Sequence, residues 1–308
     1  MQKKEIAAIP VPWLWRAYKK QYGIDIGRLV PPGTKTLRLL EDSETGLRAF
    51  TPVLLGDGPF YEALSRFEGY YQKWKREYAT AAHYTTGKSI LEIGCGLGDF
   101  AELAQARHYL GLEISEASVE KAKKLGRNTI LSTPEDYLSQ HRPRQFDVVC
   151  AFQVLEHVPA PITFIKTAAE LLRDEGRFIL SVPNDEGFIG YAPNNILNMP
   201  PHHQTRWTAK TIAAVAEKAG LEIEALIFEM VDAIHTSFAS RILSGAVFLP
   251  LSIAQNQHVY LSPLKLFAYK VKRAALRPVM ARLAQNGFIE NALKGHTLTA
   301  VLRKAPLE

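Results

Sequence analysis

Residues 90–100 read ILEIGCGLGDF. An apolar run, Ile90–Ile93, meets three glycines at alternate positions, Gly94, Gly96 and Gly98. Glycine admits positive φ and lets a ligand approach the backbone closely. A helical pattern follows, and a helix start offers N–H groups without intrahelical partners. A pyrophosphate loop of G-x-G-x-x-G type needs glycine at 99, where the chain has Asp99. Glu92, at the strand end, would repel a pyrophosphate. It suits a ligand that carries an ammonium group and no phosphate. The competing reading is a glycine turn that binds nothing.

Two histidine sites can move protons near neutral pH. His157 lies in FDVVCAFQVLEHV (146–158), and His202 and His203 lie in NMPPHHQTRW (198–207). Each can serve as general base, and His203 is the first choice. With Glu156 or Asp185 the histidines also suggest a metal site. Adjacent histidines usually point in different directions and no H-x-x-x-H spacing occurs, so no metal is expected. The bland alternatives are a loop-capping role for His157 and packing for the histidine pair. Thr208 is a candidate N-cap for the helix after Trp207. A helix predicted over Phe60–Ala82 would present Phe67, Tyr70, Tyr71 and Trp74 on one face. That stripe is either core or a lid attracting a cationic ligand through its rings.

The elements that must position these groups alternate along the chain. Strand patterns occupy Ser89–Ile93, Tyr109–Ile114, Asn128–Leu131, Phe146–Ala151, Arg177–Val182 and Leu221–Glu229, and HTLTAVLRK near the C-terminus alternates like a seventh. Helical patterns fill Phe100–Ala106, Glu116–Leu125, Ile162–Leu172 and Ala209–Ala219. Such alternation predicts an α/β fold, a doubly wound and mostly parallel sheet with helices on both faces. Ligands then bind at the strand C-terminal ends, near the point where strand order reverses.

E-x-G-x-G-x-G behind a strand resembles the first motif of the class I S-adenosylmethionine-dependent methyltransferases, and further motifs follow in that family's order. The resemblance implies seven strands with an antiparallel last one, and S-adenosyl-L-methionine as cofactor. It implies that Glu92, Gly94, Gly96 and Gly98 hold the methionine side. Glu113, nineteen residues after Gly94, would accept the ribose hydroxyls. STPEDYL (132–138) matches the adenine-reading segment, with Thr133, Glu135 and Asp136 as candidates. Pro134 lacks an N–H, so the donor should come from Glu135 or Asp136. Phe152 and Gln153 would flank the methionine moiety, and His157 would face the acceptor. GRFILSVPN (176–184) matches the fifth strand. The matches span roughly residues 85–230 and the last strand. PPHH-x-x-R-W and the aromatic N-terminal segment resemble methyltransferases of bacterial surface-glycan biosynthesis. Relatives of that kind carry a cysteine-rich zinc element, whereas Ile24–Pro59 has no cysteine. The expected reaction is O-methylation of a sugar or glycan-linked hydroxyl. A phenolic or quinone-type lipid precursor is the alternative acceptor, and a catalytically silent scaffold the alternative class.

The 308 residues, 47% of them hydrophobic, suffice for a sizeable core. Two cysteines, Cys95 and Cys150, fit a reducing compartment. Glu5, Pro10 and Pro12 interrupt any leader-like segment, so a cytoplasmic protein is expected, with peripheral contact at the inner membrane face as the alternative. Nucleic acid is not an expected partner, because the segment after the fourth strand reads FQVL rather than a base-methylating motif. The pattern divides the chain into an N-terminal extension (1–82), a core (83–229 and 295–304) and a helical basic insertion (230–294). Of the net charge of +6, Leu264–Lys304 carries +8, from nine basic residues against Glu290. Leu264, Phe267, Val271, Ala275, Val279 and Leu283 recur at helical spacing with Lys270, Arg273 and Arg277 opposite. Pro278 should kink or divide that helix. With the apolar run Ala246–Ala254, the stretch 246–283 is expected to touch a membrane surface, cap the core or pair two copies in a homodimer.

Overall fold

The computed structural model describes residues 3–67, 70, 72–231, 239–240, 242, 259–285 and 294–304. Its elements, in chain order, are β1 (Lys3–Pro10), α1 (Val11–Tyr22), β2 (Thr36–Asp42), β3 (Arg48–Thr51), α2 (Gly58–Ser65), α3 (Arg76–Ala82), β4 (Ser89–Ile93) and α4 (Ala101–Ala104). They continue with β5 (His108–Glu113), α5 (Glu116–Lys124), β6 (Thr129–Leu131), α6 (Pro134–Gln140), β7 (Phe146–Phe152), α7 (Pro161–Leu171) and β8 (Leu172–Pro183). The last are β9 (Thr205–Arg206), α8 (Ala209–Lys218), β10 (Leu221–Met230), α9 (Pro263–Gln285) and β11 (Lys294–Lys304).

Two compact, discontinuous units result. One comprises Tyr61–Val182, Ala209–Ile227 and Thr299–Glu308; the other comprises Met1–Phe60, Pro183–Thr208 and Phe228–Leu298. These units cut across the three divisions read from the sequence. The first sixty residues fold with segments 183–208 and 228–298 rather than with 61–82.

The first unit is built on a seven-stranded sheet of order β10-β11-β8-β7-β4-β5-β6. β4 pairs in parallel with β5 and β7, β5 with β6, and β7 with β8. The antiparallel strand enters at the β8-β11-β10 end, and the fold is Rossmann-like. Strand order reverses between β4 and β7, so the loop after β4 leaves the sheet at its switch point. β4 is buried along its whole length, as a central parallel strand covered on both faces must be. Helix starts follow their chemistry: Ser115 caps α5 by accepting the Ser118 amide, and Thr133 caps α6 by accepting the Asp136 amide. The predicted single helix over Phe60–Ala82 is corrected to two, α2 and α3. Phe67 and Tyr70 lie outside both, Tyr71 is outside the described residues, and Trp74 is 56% exposed. No common helix face joins these rings.

The second unit carries a four-stranded sheet of order β1-β2-β3-β9, with β1–β2, β2–β3 and β3–β9 all antiparallel. α1 buries Val11, Leu14 and Tyr18 and stops at Gly23, which is left-handed at φ 67 and returns its N–H to Lys19. The Tyr18 hydroxyl donates to the Ile196 carbonyl at 2.8 Å. β9 supplies Arg206, whose buried guanidinium meets Asp185 at 3.2 Å. Arg48 of β3 meets the other oxygen of Asp185 at 3.1 Å. α9 continues through Pro278 as one helix, so Pro278 does not divide it. The run Ala246–Ala254 lies outside the described residues.

Candidate active site

In the β4–α4 loop all three alternating glycines take positive φ: 70° at Gly94, 56° at Gly96 and 73° at Gly98. They are not equivalent. A Cβ on Gly94 would sit 2.5 Å from Val154 Cγ2, and one on Gly98 would press on Arg127, whereas one on Gly96 would meet nothing within 4 Å. Gly94 is needed for packing. Gly96 faces open space, the place where a ligand lies against backbone.

Glu113, at the end of β5, closes this loop from the side. Its Oε2 accepts the Gly96 amide at 2.8 Å, and its Oε1 accepts the Ile114 and Ser115 amides at 2.8 and 2.9 Å. Large apolar side chains stand exposed along the same sheet edge: Leu97, Ile114 and Leu131, at 37%, 74% and 53%. A carboxylate acceptor beside apolar surface suits a nucleoside, with hydroxyls for the one and a flat ring for the other.

Glu92 is buried beneath the loop, and the Tyr109 hydroxyl donates to its Oε2. Burial pushes the carboxyl up to about 8, against the Tyr109 hydrogen bond and the positive charge of Lys75, which act to lower it. A ligand ammonium there would relieve the desolvation that holds the proton on.

The other expected cofactor residues divide. The Phe152 ring is buried against Tyr78 and Phe100, with centroids 5.0 and 4.9 Å away. It is core, so only its backbone can meet a ligand. Gln153 is left-handed at φ 57 and donates through Nε2 to Glu77 at 3.2 Å. Thr133 Oγ1 donates to the Asp136 carboxylate and accepts the Asp136 amide, 2.8 and 3.1 Å away. The Asp136 amide is therefore engaged in the α6 cap.

His157 ends a short helical turn, Leu155–His157. Its Nδ1 lies 3.2 Å from the Tyr61 hydroxyl, and its Nε2 lies 3.9 Å from Glu156 Oε1. Glu156 is buried, its Oε2 has no hydrogen-bond partner, and desolvation lifts it to about 8. Tyr61 and Tyr109 had no signal in the sequence beyond being aromatic.

His202 and His203 belong to the second unit. Both are buried, and their rings stack with centroids 4.3 Å apart at 22°. The expectation that neighbouring histidines diverge therefore fails here. His202 Nδ1 is 2.7 Å from the Leu197 carbonyl, and His203 Nδ1 is 3.1 Å from Asn198 Oδ1. Asp185, considered with the histidines as a metal ligand, is held by Arg48 and Arg206.

The glycine loop at the switch point, the acid at the end of β5 and the seven-stranded order agree with the match of residues 66–226, just over half of the chain, to a methyltransferase-domain profile. The chain belongs to the methyltransferase-domain family. This methyltransferase uses S-adenosyl-L-methionine. It is 31% identical over 157 residues to a Mycolicibacterium smegmatis protein named "probable S-adenosylmethionine-dependent methyltransferase", covering 48% of this chain and 57% of that one. It is 30% identical over 156 residues to a ubiquinone biosynthesis O-methyltransferase of Thiobacillus denitrificans, covering 46% and 67%. The chain thus spans between about half and two thirds of the length of these curated relatives. Among solved structures, a SAM dependent methyltransferase from Archaeoglobus fulgidus is similar at a TM-score of 0.49 and 16% identity, over 74% of this chain and 90% of that one.

Proposed function

We propose that this methyltransferase transfers a methyl group to the hydroxyl oxygen of a phenolic or quinone-type acceptor, with His157 taking the proton. The carrying observation is the His157 ring, set between the Tyr61 hydroxyl and the buried Glu156 in the unit that holds the glycine loop. The names of the relatives as ubiquinone biosynthesis O-methyltransferases support the acceptor class.

Bound S-adenosylmethionine supplies an electrophilic methyl on a sulfonium. The chain supplies the rest. A hydroxyl becomes a competent nucleophile only as its proton leaves, and imidazole is matched to that task near neutral pH. Tyr61 fixes the ring through Nδ1. As His157 gains charge, the nearby Glu156 carboxyl is drawn toward its ionised form, which stabilises the imidazolium.

A panel of catechol-type phenols and nucleotide sugars, assayed with labelled cofactor, tests the reading. Methylation of a phenol, lowered about 10²–10⁴-fold in His157→Gln with cofactor affinity retained, is expected. Turnover confined to nucleotide sugars would move the acceptor to the glycan-linked class, which needs the same proton acceptor. Cofactor binding without turnover on either class would favour a scaffold.

A further inference from the structure

α9 is amphipathic twice over. Its sequence, PLKLFAYKVKRAALRPVMARLAQ, contains six basic residues (Lys265, Lys270, Lys272, Arg273, Arg277 and Arg282) and no acid. One face is anchored in the second unit. Leu276 and Leu283 pack against the cluster of Phe188, Ile189, Tyr191, Val231 and Ile242, and the Tyr269 hydroxyl donates to the Ile242 carbonyl at 3.1 Å. The apolar residues that a packed helix would hide are on the other side. Leu264 is 79% exposed, Phe267 66%, Val271 53% and Val279 54%.

Rotation of about 100° per residue places Leu264, Phe267, Ala268, Val271, Ala274, Ala275, Pro278 and Val279 within one arc of about 140°. Counted from Leu264, the anchored Leu283, Leu276 and Tyr269 fall at about 100°, 120° and 140°, off the Val279 edge of the arc. Lys270 and Arg277 flank the arc on one side and Lys265 and Lys272 on the other, Arg273 lies on the far face, and Arg282 falls within the arc at the C-terminal end of the helix. An exposed contiguous apolar strip has to be covered by something. The flanking cations, unopposed by any acid on the helix, define the chemistry of the cover. It is apolar in depth and negative at its rim. A second copy of this chain would bring the same cations to the contact, whereas an anionic bilayer offers acyl chains to the arc and phosphates to the flanks.

We propose that α9 docks the methyltransferase on an anionic phospholipid surface, lying in the interface plane with the Leu264–Phe267–Val271–Val279 arc in the acyl boundary. The helix does not span: among the described residues no helix is long and apolar enough to cross a membrane. The proposal stands apart from the acceptor identity, because it uses only the second unit's own surface.

The test is sedimentation of the full chain with vesicles of phosphatidylcholine alone and of phosphatidylcholine with phosphatidylglycerol. Binding to the anionic vesicles at low salt, weakened at least tenfold by high salt, is expected. Phe267→Ser/Val271→Ser and Lys270→Gln/Arg273→Gln/Arg277→Gln should each lower partitioning about tenfold or more, with cofactor affinity and melting temperature unchanged, since every altered side chain is exposed. Equal binding to both vesicle types overturns the electrostatic half. Absence of binding, or binding indifferent to both variants, overturns the proposal. A concentration-dependent dimer lost in Phe267→Ser/Val271→Ser, without lipid binding, assigns the strip to a second copy instead.

Discussion

The amide of Gly96 donates to Glu113 Oε2 over 2.8 Å, tying the glycine loop to the end of the neighbouring strand. One contact thus joins the position that faces open space to the carboxylate suited to ribose hydroxyls. A change at either end tests the same cleft.

Gly94 and Gly96 should respond differently to alanine. At Gly94 the new methyl would sit 2.5 Å from Val154 Cγ2, so Gly94→Ala should lower the melting temperature. At Gly96 there is no clash, and the cost is only that of positive φ, about 1–2 kcal/mol. Gly96→Val should leave a folded protein that no longer binds S-adenosylmethionine. Calorimetry decides: an affinity within threefold of the parent would remove the cofactor from this loop.

Glu113→Gln should weaken cofactor binding by about 1.5–3 kcal/mol, the scale of hydrogen bonds to a charged acceptor. Glu113→Ala should cost more, because the Gly96, Ile114 and Ser115 amides lose their acceptor together. Equal affinities in Gln, Ala and parent proteins would place the ribose elsewhere.

Glu92 should make cofactor affinity depend on pH. Its carboxyl is raised to about 8 in the fold, so it carries a proton at neutral pH. The folded state binds that proton more tightly than the unfolded chain. The associated stability is therefore full below the ordinary carboxylate range and declines as pH rises through about 8. A ligand ammonium prefers the ionised form, so affinity should climb between pH 6 and 8, with proton release below pH 8. Glu156, raised to a similar value, also contributes to the stability trend, so the comparison is with Glu92→Gln. Proton release that persists undiminished in Glu92→Gln would assign it to another group.

The sheet and the loop were legible because their signals are local: alternating glycines behind β4, short apolar runs and an acid ending β5. What failed depended on distant partners. Tyr61 meets His157 across 96 positions, and Gln153 meets Glu77 across 76; neither spacing leaves a periodic trace. The strand end points to Phe152 as a ligand contact, but alternation puts its ring among Tyr78 and Phe100. The aromatic stripe after Phe60 satisfies helical spacing, yet α2 ends at Ser65 and the next described helix starts at Arg76. On α9 the period identified a helix but not its inward face. Leu276 and Leu283 pack inward, and the longer stripe through Phe267 stays outside.

Asp185 should matter to stability rather than to proton transfer. Its two oxygens meet Arg48 at 3.1 Å and Arg206 at 3.2 Å. The two cations differ in setting. The Arg206 side chain is 4% exposed and that of Arg48 14%, and Arg48 has a second acceptor in Glu41 at 2.7 Å. Burial pushes the Arg206 guanidinium downward, against the pull of Asp185, and its Nε has no hydrogen-bond partner. Nη2 still donates to the Asn198 carbonyl at 2.9 Å. Removing the carboxylate charge leaves this buried cation uncompensated, a change that typically costs about 3–5 kcal/mol. Asp185→Asn should therefore unfold at markedly lower denaturant concentration. Arg48→Gln should cost less, because it leaves the Asp185–Arg206 contact in place. Arg206→Met, which removes the buried charge itself, should fall between the two or recover part of the loss. If Asp185→Asn instead keeps its denaturation midpoint while losing turnover, the carboxylate works in the chemistry and the structural assignment of this pair is wrong.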